Sequence, residues 1–163
     1  MRASTAIILA AAIAAGCSRH PAVNPTHQIT VYYCRAGTER LVPMQFRVSS
    51  SLTPAATASY AVNQLLVGPP SSAEAFVLFP AGTQASVTLN GSMAVVDLRG
   101  SIARSYASGG TDEAALFKSL TFTLTAQPGV RSVQVLVAGS KRATLPGGAF
   151  ELDEPLTRDT FAQ

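Results

Sequence analysis

The residues able to do chemistry are few. Two cysteines, Cys17 and Cys34, two histidines, His20 and His27, and nine acidic residues are the whole stock of thiols, imidazoles and carboxylate side chains. Cys17 ends the run "IILAAAIAAGC", in which small and aliphatic residues stop abruptly at Gly16-Cys17. Arg2 supplies a positive start and residues 6–15 an apolar stretch too short for an ordinary membrane span, which is the layout of a secretory signal. Ala14-Ala15-Gly16-Cys17 resembles a bacterial lipobox. That resemblance implies diacylglyceryl transfer to the Cys17 thiol and cleavage before it. A cleavable signal that merely contains a cysteine is the alternative.

Cys34 lies in the apolar run "ITVYYCR" and reads as a small buried hydrophobe; a disulfide with Cys17 would compete with acylation. His20 and His27 fall in or beside "SRHPAVNPTHQ", a Pro- and Asn-containing stretch without hydrophobic period, so a metal site built on them would lack rigid support. Among the acids, Asp112 and Glu113 read as charges at a helix start. Glu151, Asp153 and Glu154 read as a solvated C-terminal stretch. Asp97 follows "AVV" in a strand and is either a general acid or base, or a strand-end carboxylate bonding neighbouring backbone. No Gly-x-Ser-x-Gly elbow, Ser-x-x-Lys, phosphate-cradling glycine loop or His-Glu-x-x-His is present. The expected catalytic, cofactor-binding and metal residues are therefore none, and the expected class is non-enzymatic.

Composition narrows the partners. Only 13% of residues are charged, the net charge is +3, and the basic residues are scattered, which is not the clustered footprint of a nucleic-acid binder. The absence of Trp argues against a broad aromatic platform for sugars. The hydrophobic content, 47%, excludes a disordered chain.

The elements that must position these residues follow from local pattern. "ITVYYCR" has strand composition. In "LVPMQFRVS", Val42, Met44, Phe46 and Val48 alternate with Pro43, Gln45 and Arg47, so one face is buried, and Pro43 puts the strand at its start or at a sheet edge. Thr53-Pro54 starts a helix as N-cap and first helical residue, with Ala58, Ala61, Val62, Leu65 and Leu66 on one face and Gly68-Pro69-Pro70 as its stop. Phe76, Leu78 and Phe79 are expected to plug the core. Val87 and Leu89, then Ala94, Val96 and Leu98, flank Asn90-Gly91, which predicts a β-hairpin with a type I′ turn. "SIARSYASGG" reads as a loop able to move. Thr111 or a neighbour can cap a second helix carrying Leu116, Leu120 and Leu124, which Pro128-Gly129 ends. Val133, Val135 and Val137 give a central-strand pattern.

The order β-β-α-β-β-α-β predicts an α+β fold, a mixed sheet with two helices packed on one face. The expected organisation is a signal with lipobox over 1–16, a flexible linker over 17–28, the α+β domain over 29–145 and a tail over 146–163.

Taken in order, "VYYCRAGTERLVPMQFRV", "AVNQLLVGP", "FPAGTQASVTLNGSMAVVDLRG" and "LTFTLTAQPGVRSVQVLVAG" resemble the GerM domain of bacterial sporulation and spore-germination proteins, in one copy. Cys34 is not part of that pattern. The resemblance implies a secreted or lipid-anchored envelope domain, related to ring-building modules, with no catalytic residues to carry over; together with the lipobox, the expected location is extracytoplasmic, anchored to the bacterial cell membrane by lipid. Its expected partners are the membrane, through the anchor, and an envelope protein; a wall polymer or small molecule is the alternative ligand. The sequence leaves the oligomeric state open. The expected contact surfaces are the Val42–Val48 strand edge and the Ser101–Gly110 loop.

Overall fold

The computed structural model describes residues 24–35, 38–70, 74–107 and 109–162. Signal and lipobox, Cys17, His20 and the linker up to residue 23 lie outside the described residues. The element order is β1 (Thr26–Cys34), β2 (Leu41–Ser49), α1 (Pro54–Val67), β3 (Thr83–Asn90), β4 (Met93–Gly100), α2 (Gly110–Thr125), β5 (Ser132–Val137) and a short 3-10 turn (Asp159–Phe161). This is the expected α+β order, with one refinement. The strands form two sheets: an antiparallel ribbon β1–β2, and a mixed sheet β3–β4–β5 in which β3 and β4 are antiparallel and β4 and β5 parallel. The helices join them, α1 packing on β1 and β3, α2 on β1 and β5.

Local chemistry explains the helix ends. Thr53 Oγ1 accepts the Ala56 N–H at 3.2 Å, Pro54 opens α1, and Gly68 closes it at φ 104°. The Tyr33 hydroxyl donates to the carbonyls of Gln64 (2.8 Å) and Gly68 (3.2 Å), satisfying α1's last turn from β1. The start of α2 differs from expectation. Its N-cap is Gly109, without a side-chain hydrogen bond, so Thr111 is not the cap. Asp112 and Glu113 are first-turn acids, as expected, but Glu113 is 1% exposed.

The hairpin forms, but its turn sits one residue further on. Asn90 pairs with Met93, so the central residues are Gly91 and Ser92. Only Gly91 has positive φ, at 58°, which is the pattern of a type II′ turn rather than I′. Among the expected core plugs, Phe79 is buried and Leu78 half-buried, whereas Phe76 is 51% exposed: its N–H bonds the Cys34 carbonyl and holds the residue at the surface.

The segment after 145 belongs to the same core. Leu145, Leu152 and Leu156 are buried, and Leu156 exchanges two backbone hydrogen bonds of 2.8 Å with Val133, covering the outer edge of β5. That is why Val133, Val135 and Val137 look like a central strand although β5 ends the sheet. Phe150 stacks between Phe117 and Phe161, and the Arg158 guanidinium lies 4.8 Å from the Phe122 ring centre. Glu151, Asp153 and Glu154 remain exposed, as expected for them individually. At the other end, Thr26, His27 and Gln28, expected in the linker, are the first residues of β1.

Candidate interaction surface: two open strand edges

Asp97 and Cys34 are used structurally. Asp97 Oδ1 accepts the Gly139 N–H at 2.7 Å and Oδ2 accepts from Arg99 Nε at 2.6 Å, fastening β4 to the turn after β5. A carboxylate so employed is the strand-end bonding role expected of Asp97. The Cys34 thiol is buried and donates to the Ala115 carbonyl at 3.2 Å. Burial, opposed by a hydrogen bond with Ser119, pushes its pKa up to about 11, so at neutral pH it is a protonated thiol and a poor nucleophile. His27 is exposed on β1 opposite Val48. Among the described residues no three His, Cys, Asp or Glu side chains gather in a way that could hold a metal ion.

Two cavities among the described residues illustrate the surface. One, about 450 Å³, is an open groove lined by Ala149, Phe150, Glu151, Asp153, Glu154, Pro155, Leu156 and Thr160. A more apolar one beside His27, Leu52 and Gln127 holds about 150 Å³, less than ligand pockets usually offer. The Ser101–Gly110 loop is not a free flap over its described part. Ile102 and Tyr106 are buried, and the Tyr106 N–H donates to the Pro146 carbonyl at 2.8 Å.

The strand edges are where the backbone is unsatisfied. In the ribbon, Ser50 N–H donates to Pro25 O and Arg35 N–H to Arg40 O. Both pairs are in register with the β1–β2 ladder, so the hydrogen-bonded pairs contain odd-numbered β1 residues. Even-numbered β1 residues therefore point their peptide groups outward, and those of Thr30 and Tyr32 are received by α2 and by Gln127 just after it. Thr123 Oγ1 accepts the Tyr32 N–H (2.9 Å), Ser119 Oγ donates to the Tyr32 carbonyl, and Gln127 Nε2 reaches the Thr30 carbonyl at 3.5 Å. The β1 edge is thus covered by α2. On β2 the outward residues are Leu41, Pro43, Gln45, Arg47 and Ser49. Among the described residues nothing bonds the outward backbone of Gln45 or Arg47. Pro43 stands at this edge with no N–H to lose, as expected from sequence. The alternation is also as expected: Val48 is buried, Val42, Met44 and Phe46 half-buried, and Pro43, Gln45 and Arg47 exposed.

A second edge was not legible in the sequence. Ser101 N–H donates to Gly82 O, continuing the β3–β4 ladder, so even-numbered β3 residues pair with β4 and odd-numbered ones point outward. The Thr83 N–H is taken by Pro80 O, but Ala85, Val87 and Leu89 have no backbone partner on that side among the described residues. Beside this edge runs a groove of about 400 Å³ lined by Asn63, Leu66 and Val67 of α1 and Thr83, Gln84 and Ala85 of β3, with Val67 71% exposed.

A family model described as "Germane: Sporulation and spore germination" matches residues 30–143. Among solved structures, the tandem GerMN domains of the sporulation protein GerM from Bacillus subtilis superpose with a TM-score of 0.62 at 21% identity, over 88% of this chain and 49% of that one. The chain thus spans about half of that tandem structure. The first GerMN domain of the same protein gives 0.62 at 20% identity, over 82% of this chain and 98% of that one. A candidate lipoprotein from Clostridium perfringens gives 0.59 at 18%, over 82% and 89%. At these identities the likeness concerns the fold. A search of curated protein sequences finds no significant match.

Proposed function

The chain belongs to the Germane family of sporulation and spore-germination domains, and from that premise we propose that it is a non-enzymatic interaction module of the cell envelope, held to the outer face of the bacterial cell membrane by lipid on Cys17. The observation that carries the binding role is the open outer edge of β2, where the peptide groups of Gln45 and Arg47 await a partner strand. A strand added there would gain main-chain hydrogen bonds, and Arg47 would favour an acidic residue opposite it. The lipobox supports the anchor, and no described helix is long and apolar enough to cross a membrane. The likeness to the Clostridium perfringens candidate lipoprotein is in keeping with an anchored domain.

Non-enzymatic action is supported by the employment of Asp97 in a structural clamp and by the protonated, buried thiol of Cys34. The test is crosslinking of the anchored protein in cells, wild type beside Gln45→Glu/Arg47→Glu. Capture of an envelope protein by the wild type, lost in the double variant with thermal stability unchanged, supports the reading. Equal capture by both removes the β2 edge. Turnover of peptidoglycan fragments by the purified protein, abolished by Asp97→Asn, overturns the non-enzymatic role.

A further inference from the structure

The two open edges differ in how they treat a second copy of the same chain. Natural edges are blunted by proline, charge or bulges, because an unguarded edge invites pairing. The β2 edge carries Pro43 and Arg47. Two-fold pairing about Gln45 would set Pro43, which has no N–H, opposite Arg47. Antiparallel pairing of β2 with β3 fails for another reason. Outward residues must oppose outward residues, so Gln45 and Arg47 would share a face with core-directed Ala85, Val87 and Leu89.

The β3 edge has neither guard. Its sequence, "TQASVTLN", holds no charge and no proline, and its outward peptide groups belong to Ala85, Val87 and Leu89. Two copies placed antiparallel about Val87 satisfy every condition at once. Val87 opposes Val87, and Ala85 opposes Leu89, so each outward N–H meets an outward carbonyl. All three side chains lie on the face directed toward α1, where Val87 is 9% exposed and Ala85 and Leu89 are half-buried. Exposed Ser86 and Thr88 oppose each other on the solvent face. The same geometry brings Leu89 of the second copy beside Ala85, at the groove lined by Leu66 and the exposed Val67. That places an apolar side chain where apolar surface is now open to water.

We infer that β3 is a self-association edge, at which two copies of this chain pair antiparallel about Val87 into one six-stranded sheet, β5–β4–β3–β3–β4–β5. An isologous two-fold interface of this kind is self-complementary by construction. The inference rests on the β3 edge alone and not on the lipid anchor or the β2 edge.

The experiment uses the processed protein purified from expressing cells, with Cys17 and Cys34 retained. Ser86→Cys/Thr88→Cys places thiols on directly opposed, non-hydrogen-bonded positions of the two copies, where a disulfide can close. Mild oxidation is expected to give a covalent dimer on a non-reducing gel, while Thr88→Cys alone gives at least fivefold less. Ala85→Pro removes an N–H that the β3–β4 ladder does not use, and Thr88→Lys sets charges across the two-fold axis. Each is expected to raise the dimer dissociation constant at least tenfold in sedimentation measurements, with the thermal midpoint held. Should Ala85→Pro fail to fold, Thr88→Lys decides. A wild type that stays monomeric and uncrosslinked, a dimer indifferent to Thr88→Lys, equal crosslinking by Thr88→Cys alone, or crosslinking of the pair to a different protein would each overturn the inference.

Discussion

Glu113 Oε2 accepts the N–H of Ala149 at 2.7 Å, and the N–H of Phe150 at 3.1 Å, from within the first turns of α2. A carboxylate 1% exposed is thereby joined to a segment 36 residues further along the chain. The next residue on the other side, Gly148, has no room for a Cβ, because one would collide with this carboxylate. The contact holds Phe150 in its stack between Phe117 and Phe161.

Removing that carboxylate should loosen the C-terminal segment from the core. Glu113→Ala leaves the part-buried amides of Ala149 and Phe150 without their carboxylate acceptor, at a cost of about 1–2 kcal/mol. Gly148→Ala should also destabilise, by crowding. Urea unfolding of both variants checks this, and a loss under about 0.5 kcal/mol for Glu113→Ala would show that the clamp is idle.

At the hairpin, Gly91→Val is expected to cost roughly 1 kcal/mol or more, since φ of 58° resists a β-branched residue. A Cβ there meets nothing within 4 Å, so the loss is backbone strain and not crowding. Asn90→Ala should change stability by less than about 0.5 kcal/mol, because Asn90 pairs with Met93 instead of occupying the turn centre. Thermal melts of the two variants separate the II′ turn from the I′ turn, which would penalise both.

Stability should fall in alkali. The Cys34 thiol and the Tyr33 hydroxyl are both pushed up by burial, to about 11 from 9.0 and to about 12 from 10.0. Raised values mean that the folded state holds these protons more tightly than the unfolded state. Their contribution is complete below pH 9 and is lost as pH climbs from about 9 toward 11 for Cys34, and from about 10 toward 12 for Tyr33. Cys34→Ala should flatten the earlier part of the decline in a melting-temperature series against pH. The wild-type thiol should also resist alkylation at pH 8 until the protein is unfolded.

Cys17 is expected to be the first residue of the processed chain and to carry lipid. Mass spectrometry of the membrane-extracted protein checks the mass and the N-terminus. Cys17→Ser should move the protein out of the membrane fraction; retention there would exclude the lipid as its anchor.

What the sequence determined by itself is what neighbouring residues enforce on one another. Thr53-Pro54 and Gly68 bound α1 because a cap is a contact across three or four residues. The alternation from Val42 to Val48 marked the buried face of β2, and Pro43 limited that stretch to a strand start or a sheet edge, because side-chain period and a missing N–H are properties of the strand itself. The ordered motifs around them were enough to indicate the family. The tertiary structure decided everything that depends on what lies across from a residue. "TQASVTLN" reads as an ordinary hairpin strand; that its outer edge is open follows only from its register with β4 and from α1 packing beside it. The equivalent edge of β1 is closed because Ser119 and Thr123 on α2, and Gln127 just after it, arrive from roughly ninety residues away. Glu113 is the helix-start acid that the sequence suggested, and only long-range packing made it a buried clamp. The stretch 146–163 looked like a polar tail, and its described part proved to cover β5 through Leu152 and Leu156. Local pattern records which side of an element seeks burial, whereas the choice of the covering element is made by long-range packing, and with it the choice of which backbone groups stay free to bind.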